Sequence, residues 1–376
     1  MCRAHVGRVN GTLHTVRYFE VYLGNTHSST SFLPLHVCTP AQLVDTRTDL
    51  PLGYPILIVT VAMAGHGSEI FVVGASNMDL IAYVPRFPKE GETLHGSKFE
   101  TGFGGKGANQ AVMAAKLGGA VGMLTCVGDD AFGPDTVENY KKNGVNCNHV
   151  YTIGGVATGV APIFVNELGQ NCIVIVNGAN DRISTNHVDI AKDAITSAKV
   201  LVCQLEIPVE TSMEALKIAK GAGVMTIFNP APARADLPDE LFKSCDIIAP
   251  NEPEAELLTG EKVDSKEGAL RAAKVLLDKG CSTVLMTLGS RGCLLVSHEN
   301  VDDPLFIPVP QETVEVKDTS GAGDCFIGAL AFYISKGFAL PEACRRACFC
   351  ASVSVGGEGT QSSFPSRSAL PEEIRG

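Results

Sequence analysis

From Glu69 onward, short runs of apolar, β-forming residues alternate with segments of helical spacing, and this alternation restricts the fold more than any other feature. Strands are predicted over 70–74, 199–205, 224–228 and 282–287, and helices over 110–117 and 324–334. Continuous apolar strands are typical of a parallel sheet covered on both faces. The sequence therefore predicts an α/β fold with a central, mostly parallel β-sheet, helices on both faces and a ligand crevice at the carboxyl ends of the strands.

Two stretches, at about 81–103 and 160–176, show strand-like alternation without helical spacing. The second indicates a hairpin that turns near Gly169. Together they predict a small β-sheet lid able to enclose a substrate. A further local pattern, Thr211 followed three residues later by Glu214, predicts a capping box at the start of a helix that ends at Gly221.

Residues 1–66 lack sustained periodicity, which predicts an N-terminal extension outside a folded domain of 67–376. The apolar run 54–62 resembles part of a secretory signal, but it lies too deep in the chain for one. Two explanations stay open. The favoured explanation is that Met63 is an alternative start of the chain. The other is a mitochondrial targeting segment, but only four arginines precede Met63 and the segment has no clear amphipathic face.

The charge balance and the cysteines narrow the class of protein. There are 30 Lys and Arg against 41 Asp and Glu, a net charge of −11, which argues against a nucleic-acid partner. The longest uncharged apolar stretch, 54–64, is shorter than the roughly 20 residues of a membrane-spanning helix. Thirteen cysteines without metal-ligand spacing indicate free thiols in a reducing compartment. We expect a cytoplasmic protein, and an additional location in the nucleus stays open.

The segment 318–324, Asp-Thr-Ser-Gly-Ala-Gly-Asp, carries the clearest chemical signal. Gly321 and Gly323 permit a turn at the start of the predicted helix, where unpaired backbone N–H groups and the helix dipole attract anionic oxygens. Asp324 lies at the edge of that site and could take a proton from a hydroxyl that attacks a phosphoryl group. The alternative is a plain loop with an Asp in the first helical turn.

Two further motifs suit ligand binding. The glycine-rich segment 102–107 is not a Walker A loop, because Lys106 is not followed by Ser or Thr. It offers close backbone approach, with Asn109 at a helix start, which suits a polyhydroxylated ligand, and the alternative is a structural turn. Asn251 and Glu254 have the spacing of a capping box. They also suit a nucleotide, with Asn251 near the phosphates and Glu254 on a water of Mg²⁺.

Five motifs occur in the order found in the ribokinase-like (PfkB) carbohydrate kinases, and the chain resembles that family from about residue 69 to its C-terminal region. They are Asn77-Met-Asp79, 104–109, Asn251-x-x-Glu254, 287–292 and 318–324. Residues 1–66 have no counterpart. The resemblance implies the α/β fold with its lid, a homodimer formed through the lid, and ATP-dependent phosphorylation of D-ribose at the 5-hydroxyl.

The resemblance also implies roles for individual residues. Asp324 would be the base, and the amides of Gly321, Ala322 and Gly323 would form the anion hole. The sugar would contact Asn77, Asp79, Gly105, Lys106, Asn109, Glu206 and Asp324. ATP would contact Asn251, Thr287, Leu288, Gly289, Ser290, Arg291, Gly292 and Gly323. Glu254 would hold Mg²⁺ through water, and K⁺ would lie among Asp318, Ser320, Ser354, Gly357, Gly359 and Ser363.

One position departs from the family pattern, and several functions stay open. Cys348 stands where some members have an Asn near the adenine.

The substrate could instead be deoxyribose, a hexose or a nucleoside such as adenosine. A sugar or nucleotide sensor without turnover is the alternative from another class. The presence of Asp324 and of both glycines of the anion-hole motif argues against the sensor, which needs no base.

Overall fold

The structure is a computed structural model that describes residues 67–310 and 314–375, together with four short strands within the first 66 residues. The chain divides into two units, residues 1–66 and 67–376. In the first unit, β1 (Gly7–Val9) pairs with β2 (Thr12–His14) and β3 (Leu43–Thr46) pairs with β4 (Ile58–Val61), both antiparallel. The alternative start at Met63 lies outside the described residues, and the predictions of an extension and of a targeting segment stay predictions.

The second unit alternates strands and helices, as the sequence predicts. Its strands are β5 (Ile70–Val73), β6 (Asn77–Val84), β7 (Lys98–Gly104), β8 (Val121–Gly128), β9 (Asn146–Ile153), β10 (Gly159–Asn166), β11 (Asn171–Ile173), β12 (Val200–Cys203), β13 (Met225–Phe228), β14 (Ile247–Ile248), β15 (Thr283–Thr287), β16 (Cys293–Ser297) and β17 (Leu305–Ile307). Its helices are α1 (Lys106–Lys116), α2 (Phe132–Lys142), α3 (Thr185–Ile190), α4 (Lys192–Ser197), α5 (Val209–Gly221), α6 (Asp239–Lys243), α7 (Glu252–Thr259), α8 (Lys266–Asp278), α9 (Ala322–Ser335), α10 (Leu340–Ser354) and α11 (Glu372–Arg375).

The central sheet has nine strands in the order β17-β16-β15-β14-β13-β12-β5-β8-β9. Neighbours from β15 to β9 are parallel, and β16 is antiparallel to both of its neighbours. The predicted mostly parallel sheet is confirmed. The chain fills the sheet outward from β5 in one direction and from β12 in the other, so a topological switch point lies between these two strands, where open α/β sheets bind their ligands.

Strand β5 shows why the sheet is covered on both faces. Ile70 and Val72 lie in one hydrophobic layer with α1 and α9, whereas Phe71 and Val73 lie in the opposite layer with α5. All four side chains are buried. Because successive side chains of a strand point to opposite faces, an uninterrupted apolar run requires two apolar layers.

The lid is a separate sheet of four strands in the order β11-β10-β6-β7. Strand β6 pairs antiparallel with β7 and parallel with β10, which continues into β11 through a turn where Gly169 has a φ of 73°. The predicted small sheet and its hairpin are confirmed. The first lid strand begins at Asn77, earlier than the expected 81, so Asn77 and Asp79 both lie on it.

Two predicted helix starts have opposite outcomes. The capping box at Asn251 and Glu254 is confirmed, with both of its hydrogen bonds formed. The capping box at Thr211 is wrong, because α5 already begins at Val209, after Pro208. The hydroxyl of Thr211 donates instead to the carbonyl oxygen of Ile183, 3.2 Å away. A tertiary partner thus replaces the local one.

Two composition-based expectations concern the whole chain. The eleven cysteines within the described residues are free, as predicted. Within the same part of the chain, no helix has the length and apolar character needed to cross a membrane.

Candidate active site

Polar side chains gather at the carboxyl ends of β12 to β15, beside the switch point, around a cavity of about 170 Å³. Its lining is drawn from the start of α1, from the ends of β13, β14 and β15 and the segments that follow β13 and β14, and from α7 and α9 near their starts. The lining residues predicted from sequence are Lys106, Asn251, Glu254, Thr287, Gly321, Gly323 and Asp324, and the others are Asn229, Ala231, Ala249 and Ile327. The cavity therefore joins the segments that the sequence assigned to a sugar, to a nucleotide and to a base.

The predicted anion hole lies at the amino end of α9, whose N-cap is Gly321. Gly321 has a φ of 74°, and a Cβ atom there would come within 2.6 Å of the Thr360 side chain. Both facts call for glycine at this position. The amides of the first turn of a helix have no intrahelical acceptor, so that of Gly323 lies where an anionic oxygen can be bound. The Ala322 N–H donates to the carbonyl oxygen of Thr319 over a long 3.3 Å, a contact that an anion bound here would replace.

Asp324 follows directly and is buried. Its Oδ2 accepts a hydrogen bond from Asn109 Nδ2 and its Oδ1 accepts one from Gln110 Nε2, each 2.9 Å long. An amide nitrogen can only donate, so both carboxylate oxygens act as acceptors. The carboxylate of Asp324 is thus held through both of its oxygens at the edge of the cavity.

Lys106 supplies positive charge to a site rich in carboxylates. The charge of Asp324 raises the pKa of Lys106 most, burial opposes this, and Glu206 and Glu254 raise it further. Glu206 Oε2 accepts a hydrogen bond of 2.7 Å from the backbone N–H of Lys106. Burial raises the pKa of Glu206, while the charge of Lys106 lowers it. The lysine therefore partly neutralises the acids around it.

Asp79, a further acid of the predicted sugar site, has a pKa well above its ordinary value. Burial raises the pKa of Asp79 to about 7, the hydrogen bond from Thr360 opposes this, and the charges of Glu206 and Asp324 add to it. The Thr360 Oγ1 donor lies 3.4 Å from Asp79 Oδ2. A Cβ atom on Gly104 would come within 2.2 Å of Asp79 Oδ1, so only glycine leaves room for the carboxylate.

Asn77 and Gly105 complete the base of the lid. Asn77 Oδ1 accepts a hydrogen bond of 2.8 Å from Asn180 Nδ2, which leaves the nitrogen of the Asn77 amide available as a donor. Gly105 has a φ of 88°, and a Cβ atom there would come within 2.8 Å of the Ala75 carbonyl oxygen and of the Asn77 N. The glycine-rich segment thus packs backbone against backbone where β5 passes into the lid.

On the nucleotide side, the capping box and a cavity wall are formed by the same residues. Glu254 accepts hydrogen bonds from Asn251 N and Asn251 Nδ2, at 2.8 and 3.0 Å. Burial raises the pKa of Glu254. Thr287 lines the cavity, whereas Leu288, Gly289, Ser290, Arg291 and Gly292 form the adjoining turn. Arg291 forms an ion pair with Glu252 there.

Cys348, at the position compared with an adenine-contacting Asn, lies on α10 and is buried. Its Sγ lies 3.8 Å from Sγ of Cys293, the residue that follows the 288–292 turn. The thiol therefore packs behind the predicted nucleotide turn.

The two segments predicted to hold K⁺ meet at Asp318. Its Oδ1 accepts from the N–H of Ser320 at 2.8 Å, and its Oδ2 accepts from the N–H of Gly359 at 2.9 Å. The hydroxyls of Ser354 and Ser363 donate to backbone carbonyls at 2.8 Å. Gly357 lies between them, with its N–H on the Ser354 carbonyl oxygen.

This donor set fits an alkali cation. It consists of hydroxyl oxygens, backbone carbonyls and one carboxylate, the kind of oxygen ligand that K⁺ takes. The described residues contain no group of three or more His, Cys, Asp and Glu side chains able to hold a metal ion. For Mg²⁺ the single Glu254 carboxylate fits, since this ion is bound through one or two carboxylates, with waters and phosphate oxygens completing its shell.

Five buried amides were not predicted as site residues: Gln110, Asn180, Gln204, Asn229 and Gln361. Gln361 Nε2 donates to Asn109 Oδ1 at 3.0 Å and so orients a predicted sugar ligand. Local sequence offers a weak signal for two of them, since Gln110 adjoins Asn109 and Gln204 lies two residues before Glu206. It offers none for Asn229 and Gln361, whose partners come from distant segments.

The chain is similar in sequence and in structure to known carbohydrate kinases. Residues 68–367 match the pfkB family of carbohydrate kinases. The chain is 46% identical to ribokinase of Mus musculus over 308 residues, covering 81% of this chain and 94% of that protein. It is 42% identical to deoxyribokinase of Salmonella typhi over 298 residues, covering 79% of this chain and 96% of that protein. The structure of Arabidopsis thaliana ribokinase complexed with ribose and ATP has a TM-score of 0.76 at 32% identity, and the match covers 82% of this chain and 99% of that one.

Proposed function

The chain belongs to the pfkB family of carbohydrate kinases, phosphotransferases that act on a sugar hydroxyl, and we propose that it transfers a phosphoryl group from ATP to the 5-hydroxyl of D-ribose. The products are D-ribose 5-phosphate and ADP. One observation carries the proposal above all. Asp324, with both oxygens accepting hydrogen bonds, lies at the amino end of α9 on a cavity that Lys106 and Asn251 also line.

The chemistry follows from that position. Asp324 takes the proton of the sugar hydroxyl while the hydroxyl oxygen attacks the terminal phosphorus of ATP. The bond between that phosphorus and the oxygen that leaves with ADP breaks. The amides of Gly321, Ala322 and Gly323 donate to the phosphoryl oxygens, on which negative charge accumulates. Lys106 adds positive charge in the same partly buried site. Positioning and electrostatic stabilisation supply most of the catalysis in such transfers.

The sugar site is proposed around the base of the lid. Asp79 and Glu206 are buried carboxylates that offer acceptors for hydroxyl groups, and Asn77 and Asn109 are buried amides of the same proposed site. Gly105 lets the backbone approach the ligand closely. The hydroxyl-rich chemistry of this set supports a sugar with neighbouring hydroxyls, because each buried acceptor then receives a donor.

Two metal ions belong to the proposal. Glu254 would hold Mg²⁺ through a water molecule, and the ion supplies positive charge to the phosphates of ATP. Asp318, Ser320, Ser354, Gly357, Gly359 and Ser363 would surround K⁺. Asp318 links the anion-hole segment to the 354–363 segment through Gly359 N, so neutralising this carboxylate helps to keep the amides of the anion hole in line.

The cation proposal has its own test. Replacing Na⁺ by K⁺ should raise ribose-dependent ATP turnover strongly, and Asp318→Ala should lose most of that response. Thermal melting of both proteins controls for unfolding, since the variant also loses the acceptors for Ser320 N and Gly359 N. An unmodified protein indifferent to K⁺, in a preparation free of that ion, would contradict the cation site.

The proposed homodimer rests on the lid. Ile173, Val174, Ile175 and Val176 run in sequence along it, with exposed fractions of 49, 55, 45 and 51%. Four consecutive apolar residues at this exposure are typical of a surface that another chain covers. We propose a second copy of the chain there. Sedimentation should give a dimer, and Val174→Glu together with Val176→Glu should give a monomer.

Deoxyribose is the second candidate substrate, because the Salmonella typhi deoxyribokinase is nearly as similar as the mouse ribokinase. The deciding experiment measures ATP turnover with ribose, deoxyribose, hexoses and nucleosides. We expect the highest kcat/KM with ribose. A higher value with deoxyribose would reassign the substrate, and an absence of turnover with every compound would favour a sensor.

A further inference from the structure

Gln110 touches Asp324 and connects it to the sheet. Gln110 Nε2 donates both to Asp324 Oδ1, at 2.9 Å, and to Asn229 Oδ1, at 3.1 Å. Gln110 Oε1 accepts from Gln204 Nε2 at 2.6 Å. Asn229 Nδ2 donates in turn to the carbonyl oxygen of Ala249, at the end of β14, over 2.9 Å. We call this set, Gln204, Gln110, Asn229 and Ala249, the amide chain.

The amide chain has one direction. The Ala249 carbonyl can only accept, so the nitrogen of Asn229 faces it and the oxygen of Asn229 faces Gln110. Gln110 must then present its nitrogen to both Asn229 and Asp324, and its oxygen to Gln204. The orientation of the group that holds the carboxylate is therefore fixed by the backbone of the sheet.

Burial makes this arrangement costly unless its bonds form. Gln204, Gln110 and Asn229 are 0, 1 and 8% exposed. A Cβ atom on Gly74, just after β5, would come within 2.1 Å of Gln204 Oε1, so a glycine makes room for the amide chain. Buried amides destabilise a fold when their partners are lost, and a network of them holds a single geometry.

We propose that Gln110 is a positioning residue for the base. It does not line the cavity, and it acts by fixing Asp324 Oδ1, so that the carboxylate keeps one orientation toward the substrate hydroxyl. Asn109 holds the other oxygen, but Asn109 is also a proposed sugar ligand, whereas Gln110 is free of that second role. This inference rests on the proposed function, because Asp324 must act as a base for its orientation to matter.

The first test is Gln110→Met, which keeps the length of the side chain and removes its polar atoms. We expect kcat to fall by about 10- to 100-fold, the scale for a misplaced catalytic group, with KM for ribose and ATP within about threefold of the unmodified protein. The matched control is Thr226→Val. It removes a buried hydroxyl that donates to Asp246 Oδ2 at 2.9 Å, near the amino end of β13, opposite the site. The control should keep kcat while losing stability.

A second variant separates positioning from stability. Gln110→Met leaves Gln204 Nε2 unpaired, and the double variant Gln110→Met/Gln204→Met removes that buried donor as well, so it should melt at a higher temperature than the single variant. Positioning predicts that kcat stays low in the double variant. The inference would be overturned if the double variant recovered kcat together with stability, or if the single variant had a kcat close to that of the unmodified protein. In either case, ribose turnover by the unmodified protein would leave the proposed function standing. Absence of turnover by the unmodified protein would overturn both.

Discussion

Replacing Asp324 by Asn tests the proposed base most directly. The variant keeps the size of the side chain but cannot take a proton from the sugar hydroxyl, so turnover of ribose and ATP should fall by at least about 100-fold, within the range for losing a general base. We expect the residual rate to reflect substrate binding and the proposed anion hole of Gly321, Ala322 and Gly323, which the change leaves in place.

The structure also predicts a stability cost for Asp324→Asn. Asn109 Nδ2 and Gln110 Nε2 each donate to one carboxylate oxygen, so whichever way the new amide turns, its NH₂ group faces a donor. One unpaired buried donor costs about 1–3 kcal/mol, which should lower the melting temperature by a few degrees. The variant should nevertheless remain folded at 25 °C, because domains of this kind have more stability than that to lose.

The assay couples ADP formation to a spectroscopic signal, with thermal melting on the same preparations. Calorimetry with ribose and with a non-hydrolysable ATP analogue checks that both ligands still bind. Turnover within a few-fold of the unmodified protein, in a folded variant, would refute Asp324 as the base. Loss of binding together with turnover would indicate a damaged site instead.

Three further outcomes are expected. Asp79→Ala should weaken ribose binding by about 10- to 150-fold, since hydrogen bonds to a charged group contribute about 1.5–3 kcal/mol, while ATP binding persists in calorimetry; equal loss of both ligands would point to misfolding. Burial raises the pKa of Asp79 from its ordinary 3.8 to about 7. Between these pH values the unfolded chain loses the Asp79 proton and the folded chain keeps it, so folding stability falls as the pH rises. Asp79→Asn should therefore raise the melting temperature more at about pH 8 than at about pH 5.5, and an equal gain at both pH values would contradict the raised pKa. A chain that starts at Met63 should fold and phosphorylate ribose like the full chain, because the family match begins at residue 68; insolubility or inactivity would make the first 62 residues part of the domain.

Local sequence determined the parts of this protein that depend on short-range physics. The apolar runs predict the two-sided parallel sheet because side chains alternate between faces, as Phe71 and Val72 do. The glycine at 321 predicts the turn into α9 because its left-handed conformation excludes most other residues. The Asn251 capping box is confirmed because its donors and acceptors lie within four residues.

Tertiary structure decided the contacts whose partners lie far apart in the chain. Sequence spacing could not show that Gln110 reaches Asp324 across 214 positions, or that Gln361 orients Asn109 across 252. Thr211 is not a cap because α5 begins two residues before it, and its hydroxyl donates to a carbonyl from another segment, at Ile183. Buried polar groups must find partners wherever the sheet order places them, and that order is set by the packing of the whole domain.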